Sequence, residues 1–183
     1  MIAWVNGAFG SGKTTLANAL RPHWPEALMY DPEQVGYLLR EIVPVPTGDF
    51  QDLPLWRRQV VDLAVGLVAE YRRPLLVPMT LVDPGYHAEI FDGLRDRGLD
   101  VHHFFLKVSP QVLTERIDSR VHAPDDPEQE AEIRSWCKGK IAQCVAAADS
   151  LPGDTVFLDG ELPIGELVDQ VLARVRTGND GDR

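Results

Sequence analysis

Gly7-Ala8-Phe9-Gly10-Ser11-Gly12-Lys13-Thr14 is a complete G-x-x-x-x-G-K-[ST] run, and it begins where the apolar stretch Ile2-Ala3-Trp4-Val5-Asn6 ends. That stretch is short and β-prone, as a buried central strand is, and Lys13 to Leu20 reads as a helix. Strand, glycine loop and helix are the context in which this motif binds phosphate. The glycines let successive backbone N–H groups turn inward around an anion, and the positive end of the following helix adds to that field. Lys13 brings a mobile charge for the β- and γ-phosphates, the hydroxyl of Thr14 suits Mg²⁺, and Thr15 extends the loop into the helix. The expected ligand is a nucleoside triphosphate.

Outward from the loop, short apolar runs alternate with helical periodicities. Ala27 to Asp31, Leu75 to Thr80, Val101 to Val108 and Thr155 to Leu158 read as four further strands. Helices are expected over Pro32 to Ile42, Leu53 to Tyr71, Pro84 to Arg97, from Ser109-Pro110, over Ala131 to Ala148, and from Ile164 to Val175. Ala123 to Glu130 is a proline- and acid-rich break between two of them. The alternation predicts an α/β fold with a five-stranded parallel sheet covered on both faces. A chain of 183 residues suits one domain, here 1–176, followed by a disordered acidic tail over 177–183.

Composition narrows the function. A net charge of −10 argues against a nucleic-acid footprint, so any phosphate site must concentrate its cations locally, with Lys13, Arg116, Arg120, Arg134, Lys138 and Lys140 as candidates. No apolar stretch has the length of a membrane span, and the N-terminus lacks a signal peptide's pattern. Cys137 and Cys144 lie seven residues apart on a predicted helix and read as free thiols, so a cytoplasmic location is expected. His102 and His103 face opposite sides of a strand and read as packing residues.

Asp31, at the end of the second strand, stands where open α/β sheets keep their ligands. It suits a general base or a metal ligand, and equally a helix cap before Pro32. Arg116 and Arg120 are four residues apart, so both guanidinium groups are expected on one face as a phosphate clamp. Arg40, Trp56, Arg57 and Thr80 are candidates for an acceptor cleft built by 32–72, with Phe9 and Tyr30 as further aromatic surfaces. The third strand ends in Met79-Thr80 where many phosphate-loop enzymes carry a metal-holding carboxylate. Asp31, Asp83, or Thr14 with water must then anchor the metal.

Leu113-Thr114-Glu115-Arg116-Ile117-Asp118-Ser119-Arg120 is similar to the helix leading into the lid of adenylate kinases. Leu158-Asp159-Gly160-Glu161-Leu162-Pro163 is similar to that family's adenine loop. This resemblance implies Arg116 over the nucleotide, Arg120 on the transferring phosphoryl group, and Asp159, Gly160 and Pro163 around the base. The region 121–140 would be a short lid without zinc ligands. A closer match spans more of the chain: Ile2 to Thr14, Tyr30-Asp31-Pro32-Glu33, Leu39-Arg40, Asp49-Phe50-Gln51, Pro54-Leu55-Trp56-Arg57, Val77-Pro78-Met79-Thr80 and Ser135-Trp136 resemble the tunicamycin resistance protein family, in that family's order. It implies a three-layer P-loop kinase fold with helical substrate and lid insertions, binding ATP with Mg²⁺. The partner implied is a small-molecule acceptor, tunicamycin or a similar uridine-containing nucleoside antibiotic. The reading leans toward an enzyme, a P-loop phosphotransferase. The alternatives are a drug-sequestering ATP-binding protein, or a kinase of an ordinary nucleoside or sugar metabolite. The acidic C-terminus carries no basic amphipathic extension, so peripheral membrane contact is not expected, and the oligomeric state stays open.

Overall fold

In chain order the elements are β1 (Ile2–Gly7), α1 (Lys13–Leu20), β2 (Leu28–Met29), α2 (Glu33–Ile42), α3 (Pro54–Tyr71), β3 (Leu75–Pro78), α4 (Pro84–Arg95), β4 (Val101–Lys107), α5 (Pro110–Ser119), α6 (Pro127–Gly139), α7 (Ile141–Ala146), β5 (Val156–Asp159) and α8 (Ile164–Asn179). They are taken from a computed structural model that describes residues 1–121 and 123–179. The strands form one parallel sheet in the order β2-β3-β1-β4-β5. The motif strand β1 is central, and all six of its residues are buried. Its two neighbours depart to opposite sides, which opens a crevice at the carboxyl end of the sheet where the glycine loop emerges.

The alternation of β1 builds the layers. Ile2 and Trp4 point into a core shared with α2, α3 and α4 through Leu39, Trp56, Val60 and Phe91. Ala3 and Val5 point the other way, into a core made by α1 and α8 through Leu16, Leu20, Val168 and Val171. The result is a three-layer P-loop kinase fold. A third cluster, Ala8, Leu113, Ile117, Cys137, Ile141 and Cys144, packs α5, α6 and α7 against the glycine loop itself. No described helix is long and apolar enough to cross a membrane.

Several boundaries differ from expectation. The helix expected from Ala131 begins at Pro127, because the Asp126 side chain accepts the Gln129 N–H at 2.9 Å and caps it inside the supposed break. It stops at Gly139, and α7 continues after Lys140. The final helix runs to Asn179, into the stretch expected as a tail, and the rest of that stretch lies outside the described residues.

His87 and His103 are packed together in the interior. His87 stacks on Phe91 at 3.9 Å between centroids, and its ring is 4.9 Å from that of His103. Burial lowers His87 to about 4, with Arg95 adding to the effect, and lowers His103 to about 3, with His87 adding to it. Both are neutral at pH 7 and return to ordinary values on unfolding, so the unfolded chain binds more protons below about pH 6.5. Stability is therefore complete above that value and lost as pH falls toward the folded values. Between pH 6 and 5, above the carboxylate range, urea unfolding should show stability falling by up to about 2.7 kcal/mol per pH unit. His87→Phe should remove about half of that slope.

Candidate nucleotide-binding site

The glycine loop is a preformed cradle. Gly7 has φ 143°, and a Cβ there would stand 2.7 Å from Ser11 Oγ and 3.1 Å from the Leu106 carbonyl, so no other residue fits. Gly12 adopts the left-handed conformation at φ 99° and passes the chain directly into α1. Ser11 N–H donates to Ala8 O at 3.1 Å, closing the turn. Ser11 Oγ is buried without a partner among the described residues, an orphan that a phosphate oxygen would satisfy. Lys13 Nζ donates to Ala8 O at 2.9 Å and lies 5.5 Å from the centre of the Phe9 ring, folded back over the loop. Burial lowers its pKa to about 8, and the Glu33 carboxylate opposes the shift.

The residue that holds the loop in place is one that the sequence reading passed over. Asn6 is fully buried, and its amide makes four contacts. Oδ1 accepts the N–H of Gly7 at 2.7 Å and of Leu81 at 2.9 Å. Nδ2 donates to Leu81 O at 2.7 Å and faces His103 Nε2 at 3.1 Å. This orientation of Asn6 makes His103 Nε2 an acceptor and gives Nδ1 the proton, which is donated to Thr155 Oγ1 at 2.9 Å. A lone amide closing an apolar strand against a glycine loop was the available signal.

Beyond the loop, one cavity is lined by Phe9, Lys13, Thr14, Asp31, Glu33, Pro78, Arg120 and Cys137, among others. It thus unites Lys13 and Thr14 with Asp31 and Arg120, from three separate segments. Asp31 combines a structural bond with a place in the cavity wall. Its Oδ1 accepts the Glu33 N–H at 3.0 Å, capping α2, while the residue lines the cavity. Glu33 is a second carboxylate in the same cavity, not singled out from sequence, and it accepts the Tyr37 hydroxyl at 3.0 Å through Oε2.

The two arginines do not form one clamp. Arg120 lies just past the end of α5, in extended backbone, and reaches the cavity. Arg116 stays on the helix and donates to Ser11 O at 3.3 Å and twice to Gly160 O at 3.1 Å, joining the phosphate loop to 159–163. That second loop is pinned further: Gly160 N–H donates to Lys107 O at 2.8 Å, and Asp159 Oδ1 accepts Glu161 N–H at 3.0 Å. A Cβ at Gly160 would meet Val108 at 2.6 Å. Asp159 and Pro163 remain exposed, as does Thr15 on α1.

Five residues considered for the acceptor cleft are engaged elsewhere. Trp56 is wholly buried and donates its indole N–H to Pro32 O at 3.0 Å, so it offers no face to a ligand. Tyr30 is buried likewise and donates to Val60 O at 3.1 Å. Thr80 is buried and donates to Gly7 O at 2.8 Å, bracing the loop. Arg57 pairs with Glu89, donates to Gln51 O and lies over the Tyr86 ring. Arg40 is exposed, donates to Gly48 O and covers the Phe50 ring. Of the aromatics, Phe9 is half-buried in the cavity wall, edge-on to Trp136 at 4.8 Å. The basic residues of α6 and beyond are paired: Arg134 with Glu130, Lys138 with Asp118, and Lys140 with Asp49 at 3.6 Å. Asp83 caps α4 by accepting the Tyr86 N–H at 2.9 Å.

The family model of the AAA domain matches residues 2–138. The chain belongs to the AAA domain family. Among solved structures, this AAA domain is similar to the Deinococcus radiodurans tunicamycin resistance protein, at 29% identity over 95% of this chain and 94% of that one, with a TM-score of 0.74. It shares the fold of an Aquifex aeolicus shikimate kinase (17% identity, 99% of both chains, TM-score 0.54). It shares it too with a Mycobacterium tuberculosis APS kinase (17% identity, 96% of both chains, TM-score 0.59). A search of curated protein sequences returns no match. Loop, family and fold together make this a kinase-like nucleotide-binding protein.

Nucleotide affinity should depend on pH through Lys13. Below about pH 8 the lysine is charged in the free protein, and above that it must take up a proton to meet a phosphate. Affinity should fall as pH rises, approaching about tenfold per unit between about 8 and 10. Calorimetric titration at pH 7 and 9.5, in buffers of different ionisation enthalpy, should detect proton uptake at the higher pH alone. Lys13→Ala should abolish that uptake together with most of the affinity.

Proposed function

We propose that this protein is an ATP- and Mg²⁺-dependent phosphotransferase that modifies a hydroxyl of tunicamycin or a similar uridine-containing nucleoside antibiotic in the cytoplasm. The observation that carries the reading is the single cavity joining Lys13, Thr14, Asp31 and Arg120. The acceptor assignment draws on the likeness to the tunicamycin resistance protein, which covers nearly the whole of both chains.

The residues fit the groups invoked. The loop's orphaned Ser11 Oγ and its inward glycines suit a polyphosphate. Thr14, Asp31 and Glu33 offer hard oxygen donors, while no group of three or more His, Cys, Asp and Glu that could hold a metal collects among the described residues. That donor set suits a cation bound partly through phosphate and water, as Mg²⁺ is. When bound, Mg²⁺ supplies charge neutralisation across the phosphates.

In the proposed reaction the acceptor oxygen forms a bond to the γ-phosphorus as the bond to the β-phosphate oxygen breaks, and ADP leaves. Asp31, steadied by the Glu33 N–H, takes the acceptor's proton. Lys13 leaves the Ala8 carbonyl to meet the phosphates, and Arg120 neutralises charge on the transferring group. Arg116 holds 159–163 where a purine base would lie. Residues 32–72 are assigned to the acceptor side and 121–140 to the lid.

A second reading is favoured by β3, whose end carries Pro78, Met79 and a structural Thr80 in place of a carboxylate. In it the protein binds drug and nucleotide without chemistry. Stoichiometry separates the two, since a sequestering protein protects one drug molecule per site and a transferase inactivates many. With labelled ATP and tunicamycin, mass spectrometry should find the phosphorylated drug; unmodified drug despite intact binding would exclude transfer to it. Asp31→Asn should leave ATP binding largely intact and cut turnover by ~10²–10⁴.

A further inference from the structure

We propose that Glu33 supplies the metal-anchoring carboxylate that β3 lacks, so that the divalent cation is held from the α2 side of the cavity. The inference rests on the reading of the cavity as an ATP and Mg²⁺ site, and on none of the acceptor chemistry. A magnesium ion bound among phosphates usually takes one or two protein carboxylates besides the loop hydroxyl and water. At the end of β3 the cavity wall is Pro78, Met79 is buried, and Thr80 has turned its hydroxyl to the Gly7 carbonyl at 2.8 Å. Asp83 is committed to the N–H of Tyr86 at 2.9 Å and does not line the cavity. Two carboxylates remain in the wall, Asp31 and Glu33.

Their roles divide by geometry. Asp31 spends Oδ1 on the Glu33 N–H at 3.0 Å, which fixes its carboxylate at the start of α2. Glu33 has the longer stem and stands on the first turn of that helix, with Tyr37 one turn on and on the same face. The Tyr37 hydroxyl donates to Oε2 at 3.0 Å, holding the carboxylate as the outer partner of a metal ligand does. Thr14 lines the same cavity, so a cation would lie between helix α2 and the first turn of α1. Glu33 also opposes the lowering of the Lys13 pKa, which places its field on the phosphate lysine.

The test is binding alone. A non-hydrolysable ATP analogue is titrated calorimetrically at pH 7.5 into wild type, Glu33→Gln, Asp31→Asn and Tyr37→Phe, each with Mg²⁺ and with EDTA. Wild type should bind more tightly with Mg²⁺. In Glu33→Gln that enhancement should shrink by about 10–100-fold, while metal-free affinity holds or improves because a negative charge has gone. Tyr37→Phe should move the enhancement the same way by less, and it provides the test should Glu33→Gln fail to fold. An undiminished enhancement in Glu33→Gln, or one lost in Asp31→Asn alone, overturns the proposal. So does wild-type binding indifferent to Mg²⁺, which would still leave the loop's role in nucleotide binding standing. No binding in either condition overturns the underlying reading as well.

Discussion

The amide of Asn6 is the joint on which this molecule turns. Four hydrogen bonds leave one buried side chain, and they reach the first loop amide, both backbone groups of Leu81 and the ring of His103. None of these groups has water to fall back on, and each left unpaired would cost about 1–3 kcal/mol. The loop therefore begins from a fixed point on the sheet rather than from a flexible strand end. Thr80 repeats the tie from the other side through the Gly7 carbonyl. A loop restrained at both polar atoms of its first residue keeps its amides turned inward before any anion arrives, which is what preorganised binding requires.

Charge is distributed with the same economy. The chain as a whole is strongly acidic, yet cations gather at the loop: Lys13 and Arg120 face the cavity, and Arg116 spans Ser11 and Gly160. Arg134, Lys138 and Lys140 near the site are matched with carboxylates and serve structure. Lys140 joins Asp49 and lies 5.5 Å from the centre of the Trp136 ring, while Trp136 meets Phe9 of the loop. The segment assigned to the lid is thereby fastened both to the loop and to the chain between α2 and α3. Cys137 and Cys144 are free, buried thiols in the cluster beneath it.

Much of this was legible in the residues. Strand, loop and first helix follow from the eight-residue motif, and the sheet follows from the alternation of apolar runs with helical periods. Asp31 and Arg120 were legible because position relative to a strand end or lid helix is a property of the chain order. What escaped was three-dimensional. Trp56, Tyr30 and Thr80 carry groups suited to ligand binding, but their partners are backbone carbonyls of Pro32, Val60 and Gly7, which no local pattern announces. Arg116 and Arg120 have helical spacing, yet the helix ends between them and their side chains part. Asn6 and Glu33 read as an ordinary strand residue and an ordinary helix-start acid. Their importance comes from what the fold sets opposite them.

Nucleotide binding here requires the main-chain amides of residues 7–14, braced by Asn6, to enclose the phosphates. The most direct measurement is the shift of backbone amide resonances on adding a non-hydrolysable ATP analogue with Mg²⁺. The account predicts large, saturable changes concentrated at Gly10, Ser11, Gly12, Lys13 and Thr14, with those amides slowed in hydrogen exchange. Changes confined to other segments, with the loop resonances unmoved at saturation, would contradict it.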